Sequence, residues 1–569
     1  MKKVFSLALA VMMLITLFAG CTPADSPAAP GAGAGAGAEG GTAATPAPGG
    51  DAAVIGTEGS PTAGGWTSAG GITYPIQTDE YLTFWVRLNA ILVAPNFSNF
   101  NDTDFAQFLE EDTGVRVEYI SPPVGQEAEA FSLMVASGDM PDIIDMTWHT
   151  FPGGPAAALM NNVILPLNDL IPTYAPDLNY HLRANPDFDR MVKTDDGYYY
   201  LFPVMRLDEW TNTTAGLVVR WDWLDYLGLD LPETIEDWHY MLTAFRDVMG
   251  ADYPLTFAGW GNFRTHMNHS LIGAYGTMIN WFIYDDEVVY GPFMPGYRDW
   301  LIEMARWYSE GLIDPNFATN DQAAVDSNLL NHQSGATALW LGSGLGRFIP
   351  ALRTQNENYT LGPVRYPVLN RGDTPMFSSL LNPFNGEGAA ITTSARNPEL
   401  AAKFLNFGYT EVGAITWGFG REGISFYRDE QGLIQLTEAV TDHERGWGRG
   451  QAWAQFSRGV YPGPFYAARR WLEIYYQFEE QVLGLEFYTD TNMREHLVPM
   501  ISPSPDEASR FARIMSDVIA HVDEYTLTAI LGITDVEATW DTFIEELRQM
   551  GIEEAIEIQN AALERYYLR

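Results

Sequence analysis

Beyond residue 74 the apolar positions switch repeatedly between a period of two and a period near 3.6. Residues 82–88 (LTFWVRL) predict a strand. Residues 104–111 predict a helix, with Asp102 or Thr103 as its cap and Gly114 as its stop. A second strand is expected over 115–120. A helix over 126–136 places Phe131, Met134 and Val135 on one stripe and ends at Ser137-Gly138-Asp139, and 141–146 then predicts a short buried strand. Strand–helix–strand–helix–strand is the signature of a parallel sheet with crossover helices.

The alternation resumes further on. Residues 217–220 predict a strand followed by a helix from Trp221. Thr234-Ile235-Glu236-Asp237 is a capping box that opens a helix with Trp238, Leu242 and Phe245 on its face. The stretch 297–310 aligns Leu301, Met304 and Tyr308 and is closed by Gly311. Residues 336–341 and 388–392 predict two more strands. Asn397 then caps a helix that has Pro398 in its first turn and runs to about Phe407. No fixed-period repeat is visible, so two α/β lobes are expected rather than one large sheet.

The N-terminal region differs from everything after it. Lys2 and Lys3 precede a run, 4–18, that is apolar apart from Ser6 and Thr16, and Ala19 and Gly20 lead to Cys21. The run is shorter than the ~20 residues that span a bilayer, so residues 1–20 read as an export signal. The chain's single cysteine stands where a lipoprotein signal peptidase would leave it as the new N-terminus. This resembles a lipobox, with Phe18 where Leu is usual, and it implies lipidation of Cys21 and a cell-membrane anchor on the extracellular face. Residues 21–73 are rich in Gly, Ala and Pro and poor in large apolar side chains, so a disordered tether is expected. Some 50 flexible residues span roughly 40 Å, enough to hold a domain clear of the headgroups.

Charge narrows the function. The 32 Lys+Arg against 73 Asp+Glu leave a net charge of −41, which opposes binding to nucleic acid or to an anionic membrane surface. One cysteine excludes an internal disulfide framework and a Cys-based zinc cluster. A length of 569 residues suggests two to four units, each with its own core.

Four stretches carry a resemblance to a known family: SGDMPDIIDM (137–146), DDGYYYLFPV (195–204), GYRDWLIEMARWYSEGLIDPNFATND (296–321), and GATALWLGSGLG (335–346) with AAITTSARNPELAAKFLNFGYTEVG (389–413). They resemble the extracellular solute-binding proteins of ABC importers, of the sugar- and oligosaccharide-binding type, and in particular the LipO-like lipoproteins. The resemblance implies a two-lobed periplasmic-binding-protein-like fold of class II, with a hinge of crossing segments and a ligand cleft between the lobes. It places 74–206 and 360–420 in lobe one, and 207–359 and 421–569 in lobe two. The implied function is capture of a carbohydrate, with an oligosaccharide as the expected form, by hinge closure and delivery to ABC permease subunits. The implied protein is a monomer with no cofactor and no catalytic role.

The residues fit such a guest. A sugar offers a C–H face that stacks on aromatic rings, and hydroxyls that pair with carboxylates, amides and guanidinium groups. In open α/β sheets the loops beyond the strand ends line the crevice. The candidates there are Arg87 and Asn89 after the first strand; Trp148 after the strand ending at Met146; Arg206, Asp208 and Glu209 at the expected hinge; Trp260 and Asn262; Trp340 and Ser343; and Glu387, Trp417 and Arg421 from the later crossing region. Packing is the alternative for each tryptophan, since the chain has 17 of them, and Arg206 could instead pair with Glu209. Enzyme-like patterns fare worse. Gly342-x-Gly344-x-Gly346 lacks dinucleotide spacing and reads as a flexible turn. His266 and His269 have no third ligand at zinc spacing. Asn101-Asp102-Thr103-Asp104 lacks the Gly and Glu of a calcium loop and reads as a helix cap. A surface glycoside hydrolase and a peptide-binding or sensor co-receptor remain as rival functions.

Overall fold

The computed structural model describes residues 65–89, 96–459 and 463–569. The export signal, Cys21 and the expected tether as far as residue 64 lie outside the described residues. The end of that tether segment is ordered: Trp66–Thr67 pairs antiparallel with Thr73–Tyr74, and Trp66 stacks on Tyr74 at 5.3 Å. Ser68 Oγ and the Gly70 N–H donate to the buried Asp177 at 2.7 and 2.8 Å, partners that lie more than a hundred residues away in the chain.

The local signals act as their chemistry dictates. Helix α1 (Asp104–Thr113) starts where Thr103 Oγ1 accepts from the Ala106 N–H, and it stops at Gly114, whose φ of 73° suits glycine. Helix α2 (Glu127–Ser137) ends likewise at Gly138. Helix α3 (Ile235–Asp247) has the full capping box: Asp237 N–H donates to Thr234 Oγ1 at 3.1 Å, and Thr234 N–H donates to Asp237 Oδ2 at 2.9 Å. Helix α4 (Pro295–Ser309) buries Tyr297, Trp300, Leu301, Met304 and Trp307. Helix α5 (Pro398–Asn406) is capped by Asn397 and leads to α6 (Glu411–Phe419). Three long helices follow near the C-terminus: α7 (Pro505–Ile530), α8 (Val536–Met550) and α9 (Ile552–Tyr567).

Eight strands build the two principal sheets. They are β1 (Tyr81–Val86), β2 (Arg116–Ile120), β3 (Ile143–Thr147), β4 (Phe202–Pro203), β5 (Ala215–Arg220), β6 (Ala336–Trp340), β7 (Leu361–Pro363) and β8 (Glu387–Ile391). The first-lobe sheet has the order β2-β1-β3-β8-β4, with β1 parallel to β2 and β3, and β8 antiparallel to β3 and β4. The second-lobe sheet, β6-β5-β7, is antiparallel throughout. Each lobe has its own apolar core. Phe84, Ile143, Trp148 and Leu405 lie in the first, whereas Trp238, Trp300, Val518 and Phe543 lie in the second.

The cores redraw the expected lobe boundaries. Residues 360–380, expected in lobe one, include β7, which pairs with β5, and Val364, which sits in the second core. Residues 421–569, expected in lobe two, include Ala454, Phe465 and Tyr466, which pack into the first core. Strand partners are chosen by tertiary contact, and the chain passes between lobes more often than its local pattern reveals. The passages are hydrogen-bonded to one another. The Met205 N–H donates to Phe465 C=O at 3.0 Å, the Ala467 N–H donates to Met205 C=O at 2.9 Å, and the Leu381 N–H donates to Asn212 C=O at 3.1 Å. These segments form the hinge.

Candidate ligand-binding site

Register shows which end of each sheet faces the hinge. In the first lobe Gly388 lies opposite Pro203, where the chain departs for the second lobe, and Glu387 lies opposite Thr147. In the second lobe the arriving chain enters β5 at Ala215, which lies opposite Trp340, and the Leu341 N–H donates to Thr214 C=O at 2.8 Å. The ends of β1 and β3 and the start of β8 therefore share the hinge edge of lobe one with the start of the crossing, and Trp340 marks the corresponding edge of lobe two.

A cavity of about 1000 Å³ opens at the first of these edges. Its walls are the ends of β1 and β3, the start of β8, and helix α2. Trp85, Phe131 and Phe151 supply aromatic surface, while Arg87, Asn89, Thr147 and Glu387 supply polar groups. Helix α2 leans on the sheet through Phe131, whose ring lies 6.1 Å from Trp85 and 6.2 Å from Phe151. Arg87 reaches Glu387 at 3.9 Å, and Asn385 Nδ2 donates to Glu387 at 2.9 Å. At the cavity floor Arg458 pairs with Asp145 at 3.1 Å, both nearly fully buried. Burial pushes the Asp145 carboxyl up, against the opposing pull of Arg458 and Arg87.

The expected site residues divide sharply. Arg87, Asn89 and Glu387 line this cavity. Arg206 lies on the first crossing; burial lowers its guanidinium, with Glu387 pulling the other way. Asp208 caps the turn Glu209–Asn212 by accepting from the Trp210 N–H at 2.9 Å and faces Arg469 at 3.8 Å. Glu209 pairs with Arg494 rather than Arg206, in a second cavity of about 530 Å³. Trp340 is 47% exposed at the hinge edge of lobe two, and exposed Ser343 lies in the π-helical turn Leu341–Leu345 that follows. That turn is tightly seated rather than loose: a Cβ on Gly344 would come within 2.8 Å of Leu339 Cβ.

Packing buries two of the expected residues, Trp148 and Trp417, and gives three others, Arg421, Trp260 and Asn262, partners within their own lobe. Trp148 follows β3 as expected, but its ring turns inward and is fully buried, with Nε1 donating to Gly388 C=O at 3.2 Å. Trp417 is buried on α6 and stacks on Phe465 at 5.5 Å. Arg421 pairs with Glu111 and Asp112 and covers the Phe108 ring, so it fastens α1 to the segment after α6. Trp260 stacks on Phe263 at 5.4 Å within the second lobe, and Asn262 Oδ1 accepts from the Ala258 N–H at 3.4 Å. In each case a neighbour in the same lobe holds the side chain, and Trp260, Asn262 and Trp417 lie on helices rather than on post-strand loops.

The sequence profile of the bacterial extracellular solute-binding proteins matches residues 102–415. The chain belongs to this family. The fructooligosaccharide ABC transporter substrate-binding protein FusA of Streptococcus pneumoniae serotype 4 (strain ATCC BAA-334 / TIGR4) is 24% identical over 533 residues, covering 87% of this chain and 92% of FusA. Lipoprotein LipO of Bacillus subtilis (strain 168) is 22% identical over 257 residues, 44% of this chain and 49% of LipO. The crystal structure of the alginate-binding protein AlgQ2 without calcium ion superposes with a TM-score of 0.68 at 21% identity, covering 86% of this chain and 99% of AlgQ2. That likeness shows the fold, two α/β lobes as expected from the alternating pattern.

In this solute-binding protein several cavity residues carried no sequence signal. Asp145 lies inside an apolar strand and looked like part of the core. Arg458 meets it across 313 residues. Trp85 sits in β1, and only the folded lobe shows that it borders the cavity. Among the described residues no group of three His, Asp, Glu or Cys side chains is placed to hold a metal ion.

Proposed function

We propose that this protein captures an extracellular carbohydrate, in the form of an oligosaccharide, and passes it unaltered to the permease subunits of an ABC importer. The observation that carries this reading is the cavity at the hinge edge of lobe one, which combines the half-buried Phe131 ring and the edges of the more deeply set Trp85 and Phe151 rings with the Arg87–Glu387 pair. Rings stack on the C–H face of a sugar, and charge-assisted hydrogen bonds select its hydroxyls. Trp340, exposed on the corresponding edge of lobe two, supplies a second platform when the lobes swing together. Ligand shifts the population toward the closed form by its greater affinity for that form. FusA, whose name gives a fructooligosaccharide as its cargo, supports the carbohydrate class. In this reading the protein is a monomer, held to the outer face of the cell membrane through acylated Cys21. The cleft residues act by binding alone.

Calorimetric titration of the mature chain with fructo-oligosaccharides, uronate oligosaccharides, N-glycans and short peptides tests the proposal. Saturable one-to-one binding of a glycan that is recovered unchanged is the expected result. Steady release of cleaved sugar, or binding of peptides alone, would overturn it.

A further inference from the structure

Helix α9 starts in one lobe and finishes against the other. Ile552 and Ala555 belong to the second core, and Asn560 exchanges hydrogen bonds with Val288 of the same lobe at 2.8 and 2.9 Å. At its far end the helix meets residues 186–195, a segment rooted in the first core through Phe188 and Val192. Arg190 of that segment lies over the Tyr566 ring at 5.8 Å. Asp195, at the tip of the turn after it, accepts from Arg565 Nε at 2.9 Å and from Arg569 Nη2 and Nε at 2.7 and 3.0 Å. Both cationic partners of Asp195 thus come from the segment that continues lobe two. The contact is sheltered on one side only: Arg569 is 4% exposed and lies against the Tyr566 ring, whereas the Asp195 and Arg565 side chains are 30% and 29% exposed, and Arg565 is also held by Ser502 C=O at 3.0 Å.

The arrangement of lobes in which this contact exists is an accessible one. Among the described residues the 1000 Å³ cavity is lined by the first-lobe strand ends, α2 and Arg458, and by no residue of β5–β7. Trp340 stands half exposed. Helix α9 is rooted in lobe two and the segment carrying Asp195 in lobe one, so these ion pairs bridge the two lobes outside the hinge strands.

We infer that Asp195, Arg565 and Arg569 form an ionic latch that holds the empty protein in its open arrangement and sets how much of the closed form exists before ligand arrives. The latch is a second restraint beside the hinge, made of charge rather than backbone. It opposes closure by a fixed amount, so weakening it enlarges the closed population, and any ligand that selects the closed form then binds more tightly. The inference rests on the clamp reading of the two lobes but on no particular ligand.

Its test is a distance measurement without ligand. Spin labels are placed at two exposed positions, one per lobe, through Tyr180→Cys and Tyr226→Cys in a Cys21→Ser background. Double electron–electron resonance at low salt is expected to give one dominant distance. Asp195→Asn, or Arg565→Gln as an independent variant, is expected to raise the population at the second distance about fivefold, the effect of a partly sheltered ion pair. Raising NaCl to 0.5 M is expected to shift the unsubstituted latch in the same direction, because screening weakens it, and to leave Asp195→Asn unmoved. Distance distributions identical in all three proteins and indifferent to salt would overturn the latch. Because no sugar enters the experiment, that failure is distinct from a failure of the glycan titration.

Discussion

Trp340→Ala should weaken ligand binding while leaving the fold nearly untouched. The side chain ends β6 at the hinge edge and is 47% exposed. A tryptophan carries on the order of 200 Å² of burial capacity, so roughly 100 Å² remains open. A sugar face covers about half of that, which contributes ~1.2 kcal/mol at ~25 cal/mol per Å². Ring stacking adds ~0.5–1.5 kcal/mol. The total is about 2 kcal/mol, or roughly a 30-fold rise in Kd. Stability should fall by about 1 kcal/mol or less, as for a surface change away from the core. The paired control is Trp148→Ala. That ring is fully buried, and its loss should cost ~3–5 kcal/mol of stability. Calorimetric titration with the best-binding glycan, beside urea unfolding of both variants, separates the two. A Trp340→Ala protein that binds as tightly as the parent would refute the placement of the second platform.

Asp145→Ala removes the carboxylate that the nearly fully buried Arg458 meets at 3.1 Å and should cost ~3–5 kcal/mol in urea unfolding; Asp145→Met with Arg458→Met should recover much of the loss, and a single variant as stable as the parent would contradict the pairing. Burial holds His149 and His266 at about 4 and His269 at about 3, with Arg569 also lowering His149 and His266 also lowering His269. An unfolded histidine titrates near 6.5, so on acidification the unfolded chain takes up these protons first. The stability they protect is complete above about pH 6.5 and is lost as pH falls toward 4, and toward 3 for His269. Urea unfolding between pH 7 and 4.5 should therefore show the unfolding free energy falling, on the order of several kcal/mol in all, with a lower midpoint at pH 4.5, and equal midpoints would exclude buried neutral histidines.

The helix ends were legible because their causes are local. Thr234 and Asp237 cap α3 from three residues apart, and Asn397 caps α5 through the Leu400 N–H three residues on. The strand–helix alternation was legible for the same reason: period reports which face is buried, whatever the partner. The site was legible only in part. Arg87 and Asn89 follow the first strand, and Glu387 comes from the later crossing region; all three line the cavity at the hinge edge of lobe one. The strand-end rule also points to Trp148 and the crossing region to Trp417, both of which are buried, because each names a position along the chain and not the direction of a ring.

By itself the amino-acid order determined the class of elements, their caps and breaks, and the membership in a two-lobed family, since these rest on contacts within a few residues or on motifs read in line. The folded chain alone decided which guanidinium meets which carboxylate. Arg421 meets Asp112 across 309 residues, Arg458 meets Asp145 across 313, and Arg565 meets Asp195 across 370. Such pairings carry no local pattern: any of many arginines satisfies the charge, and only the packing of the sheets and helices selects one. For the same reason exposure, which separates Trp340 from the buried tryptophans, is a property of the assembled lobes and not of the residue.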